Sequence, residues 1–223
     1  LVDLNFTSLR DESFCLFDSG PDSLDRVIVF TTKNNLSHLE NSDVLIADGT
    51  FKVCPRGFFQ LYTFHCKISS NVFPMVYILM KTKKEDDYIK AFNVVCEKCS
   101  NFPKYIIIDF EVGAYVAFKK ATKSEIFFCL FHFGQCVWRK LQKLGLSSEF
   151  LKNIEFRLFV KCITSLAFVP TEYVELEYKK VIKKSLHFPE LNLKNLLQYF
   201  EKKFPLWFKI SHKFVECLLS HFK

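Results

Sequence analysis

The sequence predicts an α/β fold, a mixed β-sheet with helices packed on its faces, and three observations predict it. Three β-rich runs follow one another at hairpin spacing. After them, helical and strand-like segments alternate. The chain of 223 residues also carries enough apolar mass to fill a core, with 49% hydrophobic residues and 27 Phe against 6 Gly and 7 Pro, a composition that reads as packed rather than disordered. Antiparallel strands can be joined by hairpins whereas parallel ones need crossover helices, so the change from consecutive runs to alternation is the order of a mixed sheet.

The elements are justified in turn. Residues 1–43 form a lead-in expected to pack on the core; from Ser8 to Glu40 the pattern is mixed and polar-rich, punctuated by the turn Asp18-Ser19-Gly20-Pro21. Val44 to Phe51, Phe58 to Ile68 and Val72 to Lys81 are short β-rich runs separated by Pro55-Arg56-Gly57 and Ser69-Ser70-Asn71, which fits three antiparallel strands. Glu85 to Cys99 places Tyr88, Ala91, Phe92, Val95 and Cys96 at the spacing of an amphipathic helix. Tyr105 to Asp109 is an apolar run ending in an acid, the pattern of a buried central strand. Val112 to Thr122 is helical, Glu125 to Phe131 is another buried strand, and Gly134 to Leu144 is helical again. This is also the order of the ribonuclease-H-like fold, with a core over 44–146. Beyond it Glu149 to Ala167, Thr171 to Lys184 and Leu193 to Lys203 all read as helix, a helical insertion over 147–205. A last segment, 206–223, is expected to be a truncated helix that completes the core.

Composition narrows the setting. The longest apolar runs, Val72 to Met80 and Ile126 to Phe131, fall short of the roughly 20 residues that span a bilayer as a helix, which predicts a soluble chain without a membrane partner. The first residue is Leu, which predicts a fragment whose targeting signal or upstream module lies outside it. Nine cysteines, an odd number set in apolar segments, suit buried thiols in a reducing compartment, cytosol or nucleus, better than a disulfide framework. The formal charge is +7, and Lys179, Lys180, Lys183 and Lys184 recur on one helical face. That face reads equally as a set of phosphate contacts or as a solvated surface.

Two acids end predicted strands. Two-metal phosphoryl transfer needs hard oxygen ligands converging from separate elements, with the ions roughly 3.5 to 4 Å apart. Asp48 closes the first of the three runs and Asp109 closes the fourth strand; if those strands are sheet neighbours, the acids sit side by side. Each also has an ordinary explanation: Asp48-Gly49 is a hairpin turn signal, and Asp109 could cap the helix after it. Glu111, beside Asp109, points away from the acids or supports them at most. Cys129 and His132 form a Cys-x-x-His pair, but a structural zinc needs four ligands, and Cys96-x-x-Cys99 would add two only if its helix end came close. A buried Cys and a hydrogen-bonded His are the simplest account. A cysteine hydrolase is disfavoured, since no Gly-flanked nucleophile or oxyanion loop accompanies the pair.

The wider text around these residues carries a resemblance. Asp48-Gly49-Thr50-Phe51, followed by Pro55, Phe58, Gln60-Leu61-Tyr62 and His65, is similar to the first acidic motif of Mutator-like element (MULE) transposases. Tyr105-Ile106-Ile107-Ile108-Asp109-Phe110-Glu111 resembles their second acidic motif. Cys129-Leu130-Phe131-His132 and the helix bearing Trp138-Arg139-Lys140 resemble their Cys-x-x-His motif, and Leu166-Ala167-Phe168-Val169-Pro170 a later landmark. The similarity covers about Ser13 to Pro170, and its specificity lies in the combination.

The resemblance implies a DDE transposase with a ribonuclease-H-like catalytic domain, two Mg²⁺ or Mn²⁺ ions, DNA as partner and a nuclear location. It also implies a homo-oligomer on DNA and a DNA-reading module upstream. Asp48 and Asp109 would be two metal ligands. The third acid of the family follows a helical insertion, after Thr-Asn-Asn and two further residues; Glu216 is the candidate, preceded by Trp207, with Glu172, Glu175 and Glu177 as weaker rivals. The chain departs from the pattern there, reading Ser211-His212-Lys213-Phe214-Val215-Glu216 without the Asn pair. Cys129, His132 and Trp138 would support the site without holding metal. Two alternatives stay open: a domesticated, non-catalytic module that binds DNA or protein, and a nuclease of the same fold acting on RNA–DNA hybrids or junctions.

Overall fold

The computed structural model describes residues 12–207. The chain divides into two compact units, the first ending at Ile126 and the second beginning at Phe127.

The first unit is built on a mixed sheet with helices. Strands β1 (Cys15–Asp18) and β2 (Val27–Phe30), helix α1 (Lys33–Glu40), then β3 (Val44–Thr50), β4 (Gln60–Ile68) and β5 (Asn71–Met80) follow one another. Helix α2 (Glu85–Cys96), β6 (Tyr105–Ile108), α3 (Val112–Ala121) and β7 (Glu125–Phe128), the last with its final two residues past the unit boundary, complete the alternation. The spatial order of the strands is β1-β2-β5-β4-β3-β6-β7. Pairs β1–β2, β2–β5, β5–β4 and β4–β3 are antiparallel, whereas β3 and β6 run parallel with Ala47 opposite Ile108. The expected mixed α/β sheet flanked by helices is therefore present.

Local expectations are corrected at three places in the fold. The lead-in holds more than a turn: β1 and β2 extend the sheet past β5, and all four residues of β2, Val-Ile-Val-Phe, are buried. Four residues are too few to show a period, so the strand was hidden in a polar-rich segment. The hairpin between β1 and β2 is held by Asp18, whose carboxylate accepts from the Gly20 N–H at 2.9 Å and from Arg26 Nε at 2.9 Å. Gly20 sits at φ +97°, a region that costs Gly little.

The second correction concerns the apolar stretch after Ile126. Strand β7 stops at Phe128 and helix α4 (Leu130–Lys143) begins four residues before the expected Gly134. Phe133, Val137 and Leu141, spaced by four, are its buried stripe. A short apolar run cannot be divided between strand and helix by periodicity alone.

One face of the sheet is packed by α2 and α3 through aromatic rings. Tyr62, Phe64, Tyr88, Phe92 and Phe118 are all fully buried, and the Phe92 and Phe118 rings stack at 4.1 Å between centroids. Burying rings of this size is the dominant stabilisation of the layer, about 1.5–3 kcal/mol for each Phe.

The second unit is helical. After α4 come α5 (Ser147–Lys152), α6 (Ile154–Ser165), α7 (Thr171–Lys184) and α8 (Lys194–Trp207). The predicted single helix from Glu149 to Ala167 is broken at Asn153, which ends α5 and caps α6, its side-chain oxygen accepting from the Glu155 and Phe156 N–H groups at 3.0 and 3.1 Å. Phe156, Phe159 and Phe188 form its aromatic centre.

Candidate functional site

Asp48 and Asp109 are brought together by the sheet. The parallel ladder between β3 and β6 ends at the pair Ala47 and Ile108; Asp48 is the next residue of β3 but does not close it as expected, since the strand stays paired with β4 through Thr50, and Asp109 is the first residue after β6. The two acids therefore stand at the same level of neighbouring parallel strands, Asp48 within β3 and Asp109 just past the end of β6. Both are partly buried, and Oδ1 of Asp109 is fully shielded from solvent. Ala47 and Leu45 alternate inward with exposures of 2% and 0%, so the pleat that seats β3 in the core also fixes the level at which Asp48 emerges.

The antiparallel side of β3 contributes neighbours. Thr63 lies opposite Asp48 in register, and its hydroxyl donates to the Asp48 backbone carbonyl at 3.4 Å. His65, two residues along, has its pKa lowered by burial, an effect opposed by a backbone hydrogen bond at Ile46 and by the negative charge of Asp48.

Beside Asp109 lies a buried polar network that the sequence did not reveal as a unit. Glu111, the residue before α3, is paired with Lys83 at 2.5 Å and has a side chain only 13% exposed. Gln60 Nε2 donates to the Tyr88 hydroxyl at 2.6 Å. Burial, and then hydrogen bonding with Glu111, hold the Tyr88 pKa far above its ordinary value. Tyr62 is fully buried and its pKa too is raised, first by burial and then by the charge of Asp109, with Tyr88, Glu111 and Asp48 adding to it. The Tyr62 hydroxyl has no hydrogen-bond partner among the described residues. A neutral, buried phenol beside carboxylates is a donor held close to negative charge. The sequence signals for its members were separate: Gln60-Leu61-Tyr62 and Glu111 lie within the resemblance and Tyr88 on the apolar face of its predicted helix, whereas Lys83 carried none.

The remaining expected residues stand apart from this description. Glu216 lies outside the described residues. Cys129, His132 and Trp138 belong to the second unit, where Cys129 immediately precedes α4. Burial raises the Cys129 pKa, but hydrogen bonds from the His132 side chain and from the His132 and Phe131 backbone outweigh it, so the thiol lies below its ordinary value. Trp138 packs against Phe150, ring centroids 5.6 Å apart. Cys96, the last residue of α2, and Cys99, three residues beyond it, are pushed up by burial to about 12 and about 11. Among the described residues no group of three or more His, Cys, Asp or Glu is arranged to hold a metal ion. The donor chemistry of Asp48 and Asp109, two carboxylates at one level of adjacent strands, suits a hard divalent cation. Glu111 is engaged by Lys83 and is not a third donor in this arrangement.

No protein-family model matches this chain, and no curated protein sequence matches it either. No helix among the described residues is long and apolar enough to cross a membrane.

Proposed function

We propose that the chain is the catalytic domain of a DDE-type DNA transposase similar to those of Mutator-like elements, cutting and joining phosphodiester bonds at transposon ends. The single observation that carries the reading is the pair of acids emerging level from adjacent parallel strands, Asp48 from β3 and Asp109 from β6. The strand order β5-β4-β3-β6-β7, antiparallel up to β3 and parallel from β3 to β6, supports a ribonuclease-H-like core. Within the first unit, the residues quoted for the resemblance fall on the two acids and on β3, β4 and β6.

In this reading Asp48 and Asp109, with Glu216 as third acid, would hold two Mg²⁺ or Mn²⁺. Such ions stabilise the attacking and leaving oxygens of an in-line displacement. The chain's own contribution is placement. The parallel ladder sets the level of both carboxylates, and the Lys83–Glu111 pair fixes the start of α3 next to Asp109. The buried Tyr62 hydroxyl supplies a neutral donor beside the charge. Chemistry of this kind is mostly positioning and electrostatics, so a shift of about 1 Å in either acid would cost on the order of 10²-fold.

The test is nicking of supercoiled DNA, and of duplexes carrying candidate element ends, with Mg²⁺ or Mn²⁺ present. Wild type should nick, and Asp48→Asn and Asp109→Asn should each fall to background while still binding DNA. Equal inertness of wild type and both variants, with binding intact, would replace this reading with that of a transposase-derived binding module. Cleavage of RNA–DNA hybrids without any preference for ends would point to a generic nuclease instead.

A further inference from the structure

The connection between β3 and β4 presents an aromatic surface that the packing of the core does not explain. Phe51 is 47% exposed, Phe59 51% and Val53 66%, yet the segment is internally ordered. Its turns are closed by Cys54 N to Phe51 O at 3.3 Å and Phe58 N to Pro55 O at 3.2 Å, and its end is tied by Phe59 N to Met80 O at 2.8 Å. Gly57, at φ +92°, supplies the left-handed residue that the second turn requires. The Phe51 and Phe59 rings meet edge to face at 5.7 Å. Lys83 Nζ lies 4.2 Å from the Phe51 centroid and 5.6 Å from that of Phe59.

The same Lys83 is the partner of Glu111. The aromatic pair is thus linked, through one lysine, to the residue two positions after Asp109, while Phe51 itself is three residues after Asp48. One end of the surface thus follows directly on β3, which carries Asp48, while the other is tied to Met80 at the end of β5. Between Phe51 and Phe59 the sequence is Lys-Val-Cys-Pro-Arg-Gly-Phe, with Lys52 and Arg56 exposed and no acid among them.

We propose that Phe51 and Phe59 form a stacking platform for an unpaired base of the DNA strand being processed at Asp48 and Asp109, with Lys52 and Arg56 meeting the adjoining phosphates. This inference rests on the DNA reading above and specifies which DNA the site takes: a frayed or single-stranded end rather than a closed duplex. Base stacking on exposed aromatics tolerates any base because every base has a π face, and basic residues beside the rings track the backbone. Exposed rings with an arginine suit protein interfaces as well, but Lys52 and Arg56, with no acid in the sequence between Phe51 and Phe59, complement a polyanionic backbone, and that favours nucleic acid.

The experiment uses the full chain and duplexes that carry 2-aminopurine either in a short single-stranded overhang or within a flush, fully paired end. Wild type should bind the overhang about tenfold more tightly than the flush end, with quenching of the probe, a difference of about 1.4 kcal/mol. Phe51→Ala/Phe59→Ala should lose that preference and the quenching while keeping its affinity for the flush duplex. Should that variant fold poorly, Phe51→Leu/Phe59→Leu keeps apolar bulk and removes the rings, and the same loss is expected. Retention of the preference in the Leu variant overturns the proposal. So does equal binding of both duplexes by wild type together with a change in self-association in the variants, which would make the surface a protein contact. Absence of any DNA binding by wild type overturns the function reading itself, a result distinguishable from the other two.

Discussion

Among the eight described cysteines, Cys129 differs from the others by the residues next to it. Its hydrogen bonds to His132 and to the backbone at the start of α4 favour the thiolate, whereas Cys66, at about 11, and Cys96, at about 12, are held protonated chiefly by burial. A lowered thiol pKa means that the thiolate fraction grows at a lower pH. Under native conditions at neutral pH, iodoacetamide should therefore modify Cys129 before Cys66 and Cys96, with a rate that rises towards a plateau at lower pH than theirs. His132→Ala should shift that profile upward. Peptide mapping by mass spectrometry reads the order, and equal labelling of Cys129 and Cys96 would show that burial governs both. The Cys-x-x-His spacing was legible in the sequence. Its electrostatic consequence was not, because it depends on the helix starting at Leu130 rather than at Gly134.

At the scale of elements, the contact between α2 and α3 turns on one residue without a side chain. A Cβ at Gly113 would lie 2.9 Å from Cδ2 of Tyr88 and 3.0 Å from Cε2. The Tyr88 ring is fully buried and its hydroxyl accepts from Gln60, so it has no open space to swing into. Helix propensity favours Ala over Gly by about 1 kcal/mol, but overpacking a filled core costs about 1–3 kcal/mol. Gly113→Ala should thus lower stability despite the better helix former, seen as a reduced denaturant midpoint with an unchanged m-value. A raised midpoint would mean that the two helices separate easily. Most helices and the three central strands could be read from their spacing, since Tyr88, Ala91, Phe92 and Val95 repeat at helical period. Strand β2 and the break at Asn153 could not: the first is too short to repeat, and the second is a local hydrogen-bonding choice inside an otherwise continuous helical pattern.

For the whole molecule the relevant quantity is charge, and the fold decides which cations of the +7 chain are available. Lys179 is paired with Glu175 at 2.8 Å and Lys180 with Glu177 at 2.6 Å along α7, both in exposed positions where such pairs are weak. Lys183 and Lys184 are exposed in the last turn of the same helix. If α7 contacts phosphate, Lys183→Ala/Lys184→Ala should weaken DNA binding more than Lys179→Ala/Lys180→Ala. It should also reduce the magnitude of the slope of log K against log salt by about 2, or about 1 per lysine. A salt titration by fluorescence anisotropy measures both, and identical slopes for the two variants would make the face a solvated surface. The sequence by itself determined the α/β class, the placing of Asp109 at the end of a strand and of Asp48 within one, and the aromatic weight of the core. Each of these is written in periodicity or composition, which are local. Only the tertiary structure decided that β3 and β6 are neighbours, that Glu111 is held by Lys83, and that Phe51 and Phe59 stay outside the core. Sheet order and side-chain pairing are long-range, and residues 28 or 61 positions apart meet because packing of the layers brings them together.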